Sequence, residues 1–268
     1  MLACVTVRDR FEQRDVWGCL TDDPKIQLRA RIFEQMIPGD VERILDVGCG
    51  DGAITNRLAR EWDVTGVDTS STALAHLATT AIEASATRLP LADDSFDLVM
   101  SSEMLEHMTR AQYGEAIAEM RRVTRRYLLI SVPYREDLKF RTVRCPRCNW
   151  CGHVWGHKQT FTAESLVADL EGFTAVETRT FGPLQEPEWP AWWLWTVHRV
   201  LHSYYYAPGQ HPLCEQCGNT DFTEARSLHP VLRRVNQRLQ PRGRPRMPFW
   251  LAVLAVRERA DSPISKTR

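Results

Sequence analysis

The chain has 268 residues, with 34 basic side chains balanced by 34 acidic ones; a neutral total excludes a protein that grips a polyanion over its whole surface. Its 43 % of hydrophobic residues can fill one enlarged α/β domain over 1–268, yet no apolar run reaches the length of a membrane-spanning helix. The first ten residues lack an apolar signal core, so a cytoplasmic protein is expected, and its eight cysteines then point to reduced thiols or bound metal.

Residues 1–23 show little pattern beyond Trp17. Pro24 can open a helix at its first position; Ile26, Leu28, Ile32, Phe33, Met36 and Ile37 recur at helical spacing before Pro38-Gly39 stops it. Strands at 43–48, 63–68, 96–101 and 127–132 alternate with helices near 52–61, 70–80 and 110–124, which implies a parallel sheet with right-handed crossovers. A helix at 162–172, introduced by Thr162-Ala-Glu-Ser, leads into a strand near 173–181. Two stretches stand outside this alternation. The first, 134–161, holds Cys145, Cys148 and Cys151; the second, 183–247, is too long for a plain loop and must carry structure of its own.

The first strand ends in Asp46-Val-Gly48-Cys-Gly50-Asp-Gly52, where a helix begins. Glycine lets the backbone approach a ligand closely, and the free amides of the next helical turn favour an anionic group. The third glycine comes one residue too early for a dinucleotide fingerprint, and an acid stands two residues before the first glycine, where it would repel a diphosphate. A ligand with both a cationic and a carboxylate end suits this turn, and adenosylmethionine carries both. Asp68 ends the second strand twenty residues beyond Gly48, the spacing at which a carboxylate reaches a ribose diol.

With these motifs the chain resembles the class I adenosylmethionine-dependent methyltransferases. The likeness continues through Leu89-Pro-Leu-Ala-Asp-Asp-Ser-Phe-Asp-Leu-Val-Met100, the Leu-Glu-His step at 105–107 and Leu129-Ile-Ser-Val-Pro133, and covers roughly 40–182. It implies a Rossmann-like, mostly parallel seven-stranded sheet with helices on both faces and an antiparallel last strand, for which Phe249–Val256 is the candidate. It also implies that Gly48 and Gly50 approach the cofactor, Asp46 faces its aminopropyl end, and Asp68 holds the ribose. Thr69 then adds an adenine-side contact, Ser85, Ala86 and Thr87 form an adenine wall, and Ser101 closes the cradle. Ser85 stands where the family often has an acid. His107 lies where a side chain faces the transferred methyl, and a histidine titrates in the range a general base needs; the alternative is that it anchors its loop. His157 is the second candidate base.

Cys145-Pro-Arg-Cys148 and Cys214-Glu-Gln-Cys217 are two C-x-x-C knuckles, each able to hold one face of a tetrahedral metal. A structural zinc shared by all four would tie the inserts into a cap. A site within the first insert from Cys145, Cys148, Cys151 and a histidine, His153 or His157, is the rival, and a metal-free cap is the bland alternative. Cys4, Cys19 and Cys49 stand alone, Cys49 contributing backbone to the glycine turn. Residues 188–206 hold four of the nine tryptophans and a tyrosine triplet. Trp189, Trp193, Val197, Val200 and Tyr204 fall on one helical face, which either packs on the catalytic domain, walls an acceptor site or lies peripherally at a membrane. Arg233, Arg234, Arg238, Arg242, Arg244 and Arg246 follow without an intervening acid, a solvated face or a place for phosphates.

These observations lead to one expectation: a methyltransferase for a small or lipid-linked acceptor, most simply a hydroxyl of a glycan, lipid-linked intermediate or secondary metabolite. Nucleic-acid methylation is the rival enzyme reading. The neutral charge opposes it, as does Ser101-Ser-Glu-Met where a base-amine enzyme would carry an Asn-Pro-Pro-Tyr-like motif, so no nucleic-acid partner is expected. A non-catalytic binding module on the same scaffold is the rival from another class.

Overall fold

The computed structural model describes residues 23–185, 189–204, 212–222, 229–239 and 246–258. Cys4, Trp17, Cys19, Glu188, Tyr205, Tyr206, Arg242 and Arg244 lie outside them, as does the side chain of Arg233. Helix α1 (Pro24–Met36) begins where Asp23 accepts a hydrogen bond from the Lys25 amide at 2.7 Å and Pro24 needs no partner for a missing N–H. It buries Ile26, Ala30, Phe33 and Met36 along one stripe. The chain continues through β1 (Arg43–Val47), α2 (Thr55–Leu58), β2 (Asp63–Asp68), α3 (Ser71–Leu74), β3 (Thr80–Glu83) and β4 (Phe96–Ser102). After a 3₁₀ turn at Leu105–His107 come α4 (Arg110–Val123), β5 (Thr124–Pro133), the short strands β6 (Thr142–Arg144) and β7 (Cys151–His153), α5 (Ala163–Ala168) and β8 (Phe173–Leu184). The last elements are α6 (Ala191–Trp195), a π turn at Thr196–Val200, α7 (His229–Leu239) and β9 (Pro248–Arg257).

Seven strands form one sheet in the order β3-β2-β1-β4-β5-β9-β8, and β9 runs antiparallel to both its neighbours. The expected antiparallel strand therefore sits inside the sheet, between β5 and β8. Alternate residues of the central strands feed two cores. On one face Leu45, Val99 and Leu128 meet Tyr113, Ile117 and Met120 of α4 and Leu166 of α5. On the other, Ile44, Leu98 and Leu129 meet Phe33 and Met36 of α1. Each fully buried side chain of this kind contributes about 1.5–3 kcal/mol. Burial on both faces explains why the strands read as continuous apolar runs.

Three expected helices are shorter than the sequence suggests. Only 55–58 of 52–61 and 163–168 of 162–172 are α-helical. In 70–80 the helix stops at Leu74, and Thr80–Glu83 forms edge strand β3, with no fully buried residue to give it an apolar signature. The stretch 134–161 carries the antiparallel β6–β7 pair. It meets the stretch 183–247 in two small cores: Phe140 with Trp189, Leu194, Val197 and Leu232, and Val143 and Val154 with Cys214 and Phe222. The single aromatic face expected over 189–204 does not form as drawn. The π turn changes the helical period after Trp195, leaving Val197 buried but Val200 exposed.

Candidate active site

The carboxyl ends of β1, β2 and β4 border a cavity of about 690 Å³. This is where an open α/β sheet presents its ligands. At the end of β1 the backbone turns through Gly48 and Gly50, whose φ angles of 77° and 55° lie in the left-handed region. A Cβ on Gly48 would stand 2.7 Å from the Met104 side chain, so both conformation and space require glycine there. The turn is tied to β2 by Gly48 and Cys49 amides donating to the Val67 carbonyl at 2.7 and 3.1 Å. Burial pushes the Cys49 thiol up, so it stays protonated.

Asp68 uses one carboxylate oxygen to accept from the Gly50 amide at 3.0 Å and the other to accept from Ser70 at 2.9 Å. Its carboxylate thus sets the glycine turn while facing the cavity. Asp46 is buried on the same wall and accepts from the Thr55 hydroxyl at 2.7 Å. Burial pushes its carboxyl up to about 6, helped by the charge of Asp68 and opposed by the Thr55 hydrogen bond. Thr69, Ser85, Ala86 and Thr87 also line the cavity, and the Ser85 and Thr87 hydroxyls lie 2.8 Å apart. Ser101 does not line it: β4 runs one residue further than expected, so Ser101 is enclosed in the sheet and Ser102 reaches the wall.

Arg29, Glu103, Met104, His107 and Lys158 also line the cavity. His107 is on the wall, as the sequence suggests. His157 is not; it lies behind His107, the two rings meeting edge-on with centroids 4.8 Å apart. Its Nδ1 lies 2.5 Å from Glu136 Oε2, while Glu136 Oε1 is 3.5 Å from His153 Nε2 and 3.4 Å from Arg141. Burial alone would raise Glu136, but its hydrogen bonds with His153 and His157 hold the carboxyl well below the usual range. Burial and the charge of Glu103 push the fully buried Glu106 well above it. Sequence reasoning missed Arg29, Glu103 and Lys158. For Glu103 the signal was present, as an acid three residues before Glu106; for Arg29 there was none, because the polar side of a short helix ordinarily faces water.

Residues 44–126 match the family of methyltransferase domains. That stretch, under a third of the chain, carries the likeness to methyltransferase domains. No curated protein matches it in sequence. Among solved structures, an adenosylmethionine-dependent methyltransferase from Archaeoglobus fulgidus is 21 % identical, with a TM-score of 0.54 over 87 % of this chain and 94 % of that one. One from Thermotoga maritima is 14 % identical, with a TM-score of 0.52 over 89 % and 92 %. The 1,6-didemethyltoxoflavin-N1-methyltransferase of Burkholderia thailandensis, solved with S-adenosylhomocysteine, is 17 % identical, with a TM-score of 0.51 over 91 % and 81 %. At these identities the likeness is one of fold.

Away from the cavity, the chain brings Cys145, Cys148, Cys214 and Cys217 together, all four sulfurs within 4.8 Å of one another. Cys145 and Cys217 sulfurs are 3.7 Å apart, and those of Cys148 and Cys214 are 3.4 Å apart. The two knuckles share one backbone pattern. Asn149 and Gly218 donate to the carbonyls of Cys145 and Cys214 from left-handed φ angles of 61° and 70°. The Cys145 and Cys214 amides in turn donate to the carbonyls five residues on, at Trp150 and Asn219. Burial raises Cys145, but amide hydrogen bonds from Cys148 and Arg147 bring its thiol down to about 7. Cys151 is exposed and takes no part.

Proposed function

We propose that the protein moves the methyl of adenosylmethionine to a hydroxyl of a small or lipid-linked acceptor. The observation that carries this reading is the cavity itself, which Asp68, the glycine turn and His107 line together. Its volume of about 690 Å³ suits a single small-molecule site. Asp68 accepts from the ribose hydroxyls, Gly48 and Gly50 admit the cofactor close to the backbone, and Asp46 opposes its positive end. Thr69, Ser85 and Ala86 contact the adenine. The sulfonium is already a charged leaving group, so the protein mainly aligns and desolvates the nucleophile. His107 is the group that promotes loss of the hydroxyl proton; His157 acts only through it.

A zinc held by Cys145, Cys148, Cys214 and Cys217 fits the same reading. Four thiolates about 2.3 Å from zinc stand roughly 3.8 Å apart, close to the spacing of the sulfurs here. Such an ion supplies cross-linking, not chemistry. It joins two inserts that each bury little on their own. Trp192 and Trp195, 61 % and 62 % exposed, offer an apolar surface to an amphiphilic acceptor or a membrane interface. Arg234, Arg238 and Arg246 lie exposed nearby in sequence. No helix among the described residues is long and apolar enough to cross a membrane.

The test is methyl transfer from labelled adenosylmethionine into cell-extract acceptors, with the labelled product identified. His107→Ala should keep cofactor affinity and lose turnover by about 10²–10⁴-fold, partly recovered at higher pH. Label on an amine or a nucleic acid, or a variant that turns over normally, would refute the hydroxyl reading.

A further inference from the structure

We propose that Glu106, His107 and His157 form a divalent-cation site at the acceptor end of the cavity. One carboxylate oxygen of Glu106 and one ring nitrogen from each histidine lie within 4.8 Å of one another. Around a metal at about 2.0–2.2 Å, such ligands stand roughly 3–3.5 Å apart, a spacing that small side-chain rotations reach. Two imidazoles and a carboxylate are a donor set that suits manganese, iron or zinc.

The independent observation is Glu106 itself. Its side chain is completely buried, and neither carboxylate oxygen has a hydrogen-bond partner among the described residues. An enclosed acid with both oxygens idle is costly unless a cation completes it. Glu103 adds a second carboxylate beside it, whose Oε1 is buried without a partner while Oε2 accepts from Trp250 at 2.8 Å and faces Arg29 at 3.5 Å. Arg29 pairs with Glu103, not with Glu106.

The surroundings of His157 point the same way. Its Nδ1 is engaged by Glu136, which leaves Nε2 as the ligating atom; a carboxylate behind a histidine is the usual device for orienting a metal ligand. The neighbouring group of Glu136, His153 and His157 also comes within 4.8 Å. Glu136, however, faces Arg141 as well as both histidines, and that guanidinium opposes a cation there. The site thus belongs on the Glu106 side, with His107 at the cavity wall and open positions facing the acceptor.

What the cation does there rests on the hydroxyl-acceptor reading. Bound to the acceptor oxygen, it weakens the O–H bond, and the proton passes to water. The oxygen's electron pair forms the new C–O bond as the S–CH₃ bond breaks, its pair staying on the sulfur of adenosylhomocysteine. His107 then assists proton loss by holding the cation.

The experiment is a Mn²⁺ titration of the full-length protein followed by electron paramagnetic resonance, without cofactor or acceptor. Mn²⁺ favours oxygen and imidazole donors over thiolates, which separates this site from the cysteine cluster. The expected result is about one bound Mn²⁺ per chain with nitrogen couplings from imidazole, at least tenfold weaker binding in Glu106→Gln, and His153→Gln within a few-fold of the parent. No uptake would overturn the proposal, as would binding that survives Glu106→Gln or is lost only in His153→Gln. Should Glu106→Gln not fold, absence of nitrogen couplings in the parent protein overturns it equally. Adenosylhomocysteine affinity measured in parallel separates the two readings: lost Mn²⁺ binding with intact cofactor binding sinks the cation site alone, and the converse sinks the methyl-transfer reading alone.

Discussion

Asp68 is the side chain on which the cofactor reading can be tested most directly. A carboxylate offers about four lone-pair positions. The Gly50 and Ser70 amides donate to it, and a ribose diol would add two hydrogen bonds. Hydrogen bonds to a charged acceptor are worth about 1.5–3 kcal/mol each, so Asp68→Ala removes about 3–6 kcal/mol of cofactor binding. At about 1.4 kcal/mol per tenfold, the affinity for adenosylhomocysteine should fall by about 10²–10⁴-fold. Water entering the vacated space recovers part of that, which makes tenfold the smallest acceptable loss. The same change takes the acceptors from two backbone amides and so loosens the glycine turn. Asp68→Asn keeps the shape and one accepting oxygen, and should fall between parent and alanine. Calorimetry at 25 °C reads the affinities, and thermal melting without cofactor separates them from loss of fold. Unchanged affinity in Asp68→Ala, in a protein that melts normally, would refute the assignment.

Asp46 predicts a pH dependence. Its folded-state value is raised from 3.8 to about 6, so the folded protein holds a proton there that the unfolded chain releases. Its contribution to stability is therefore full below about pH 4 and lost as the pH rises through 6. The cationic end of adenosylmethionine favours the ionised form, so affinity should drop as the pH falls through 6 and binding should release a proton; calorimetry in buffers of different ionisation enthalpy tests this, and a flat profile would refute the pairing. Cys214→Ser should lose close to one zinc per chain by elemental analysis and loosen both inserts while the glycine-turn domain stays folded; full zinc retention would refute the shared site. Replacing Trp192 and Trp195 with alanine should weaken flotation with anionic vesicles and leave adenosylhomocysteine affinity within about twofold, as separate sites require; tighter binding to single-stranded RNA than to vesicles, steeply salt-dependent, would promote nucleic acid as the acceptor class.

The elements most legible in the sequence were those whose residues answer to local physics. The strands of the central sheet are buried on both faces, so they appear as apolar runs, and α1 is announced by Pro24 and by the stripe it buries. The glycine turn was legible because Gly48 and Gly50 have backbone angles that other residues rarely adopt. Asp68 was legible as a residue of the cavity wall because it ends the strand beside the glycine turn. Edge strand β3 was not: an exposed strand with one neighbour needs no apolar alternation. Nor was the exposure of Val200, since a π turn has no sequence signature here.

The sequence by itself determined the alternation of the central strands with their helices, the glycine turn at Asp46–Gly52 and the pairing potential of the two cysteine knuckles, because each depends on neighbours a few residues apart. Only the tertiary structure decided which distant groups meet. It drew Cys145 and Cys148 to Cys214 and Cys217 across 66 residues between Cys148 and Cys214, set Arg29 of α1 beside Glu103, moved Ser101 off the cavity wall, and placed His157 behind His107 with Glu136 at its back. Such contacts follow from how sheet order and crossovers fold separated segments onto one another, and no local spacing encodes them.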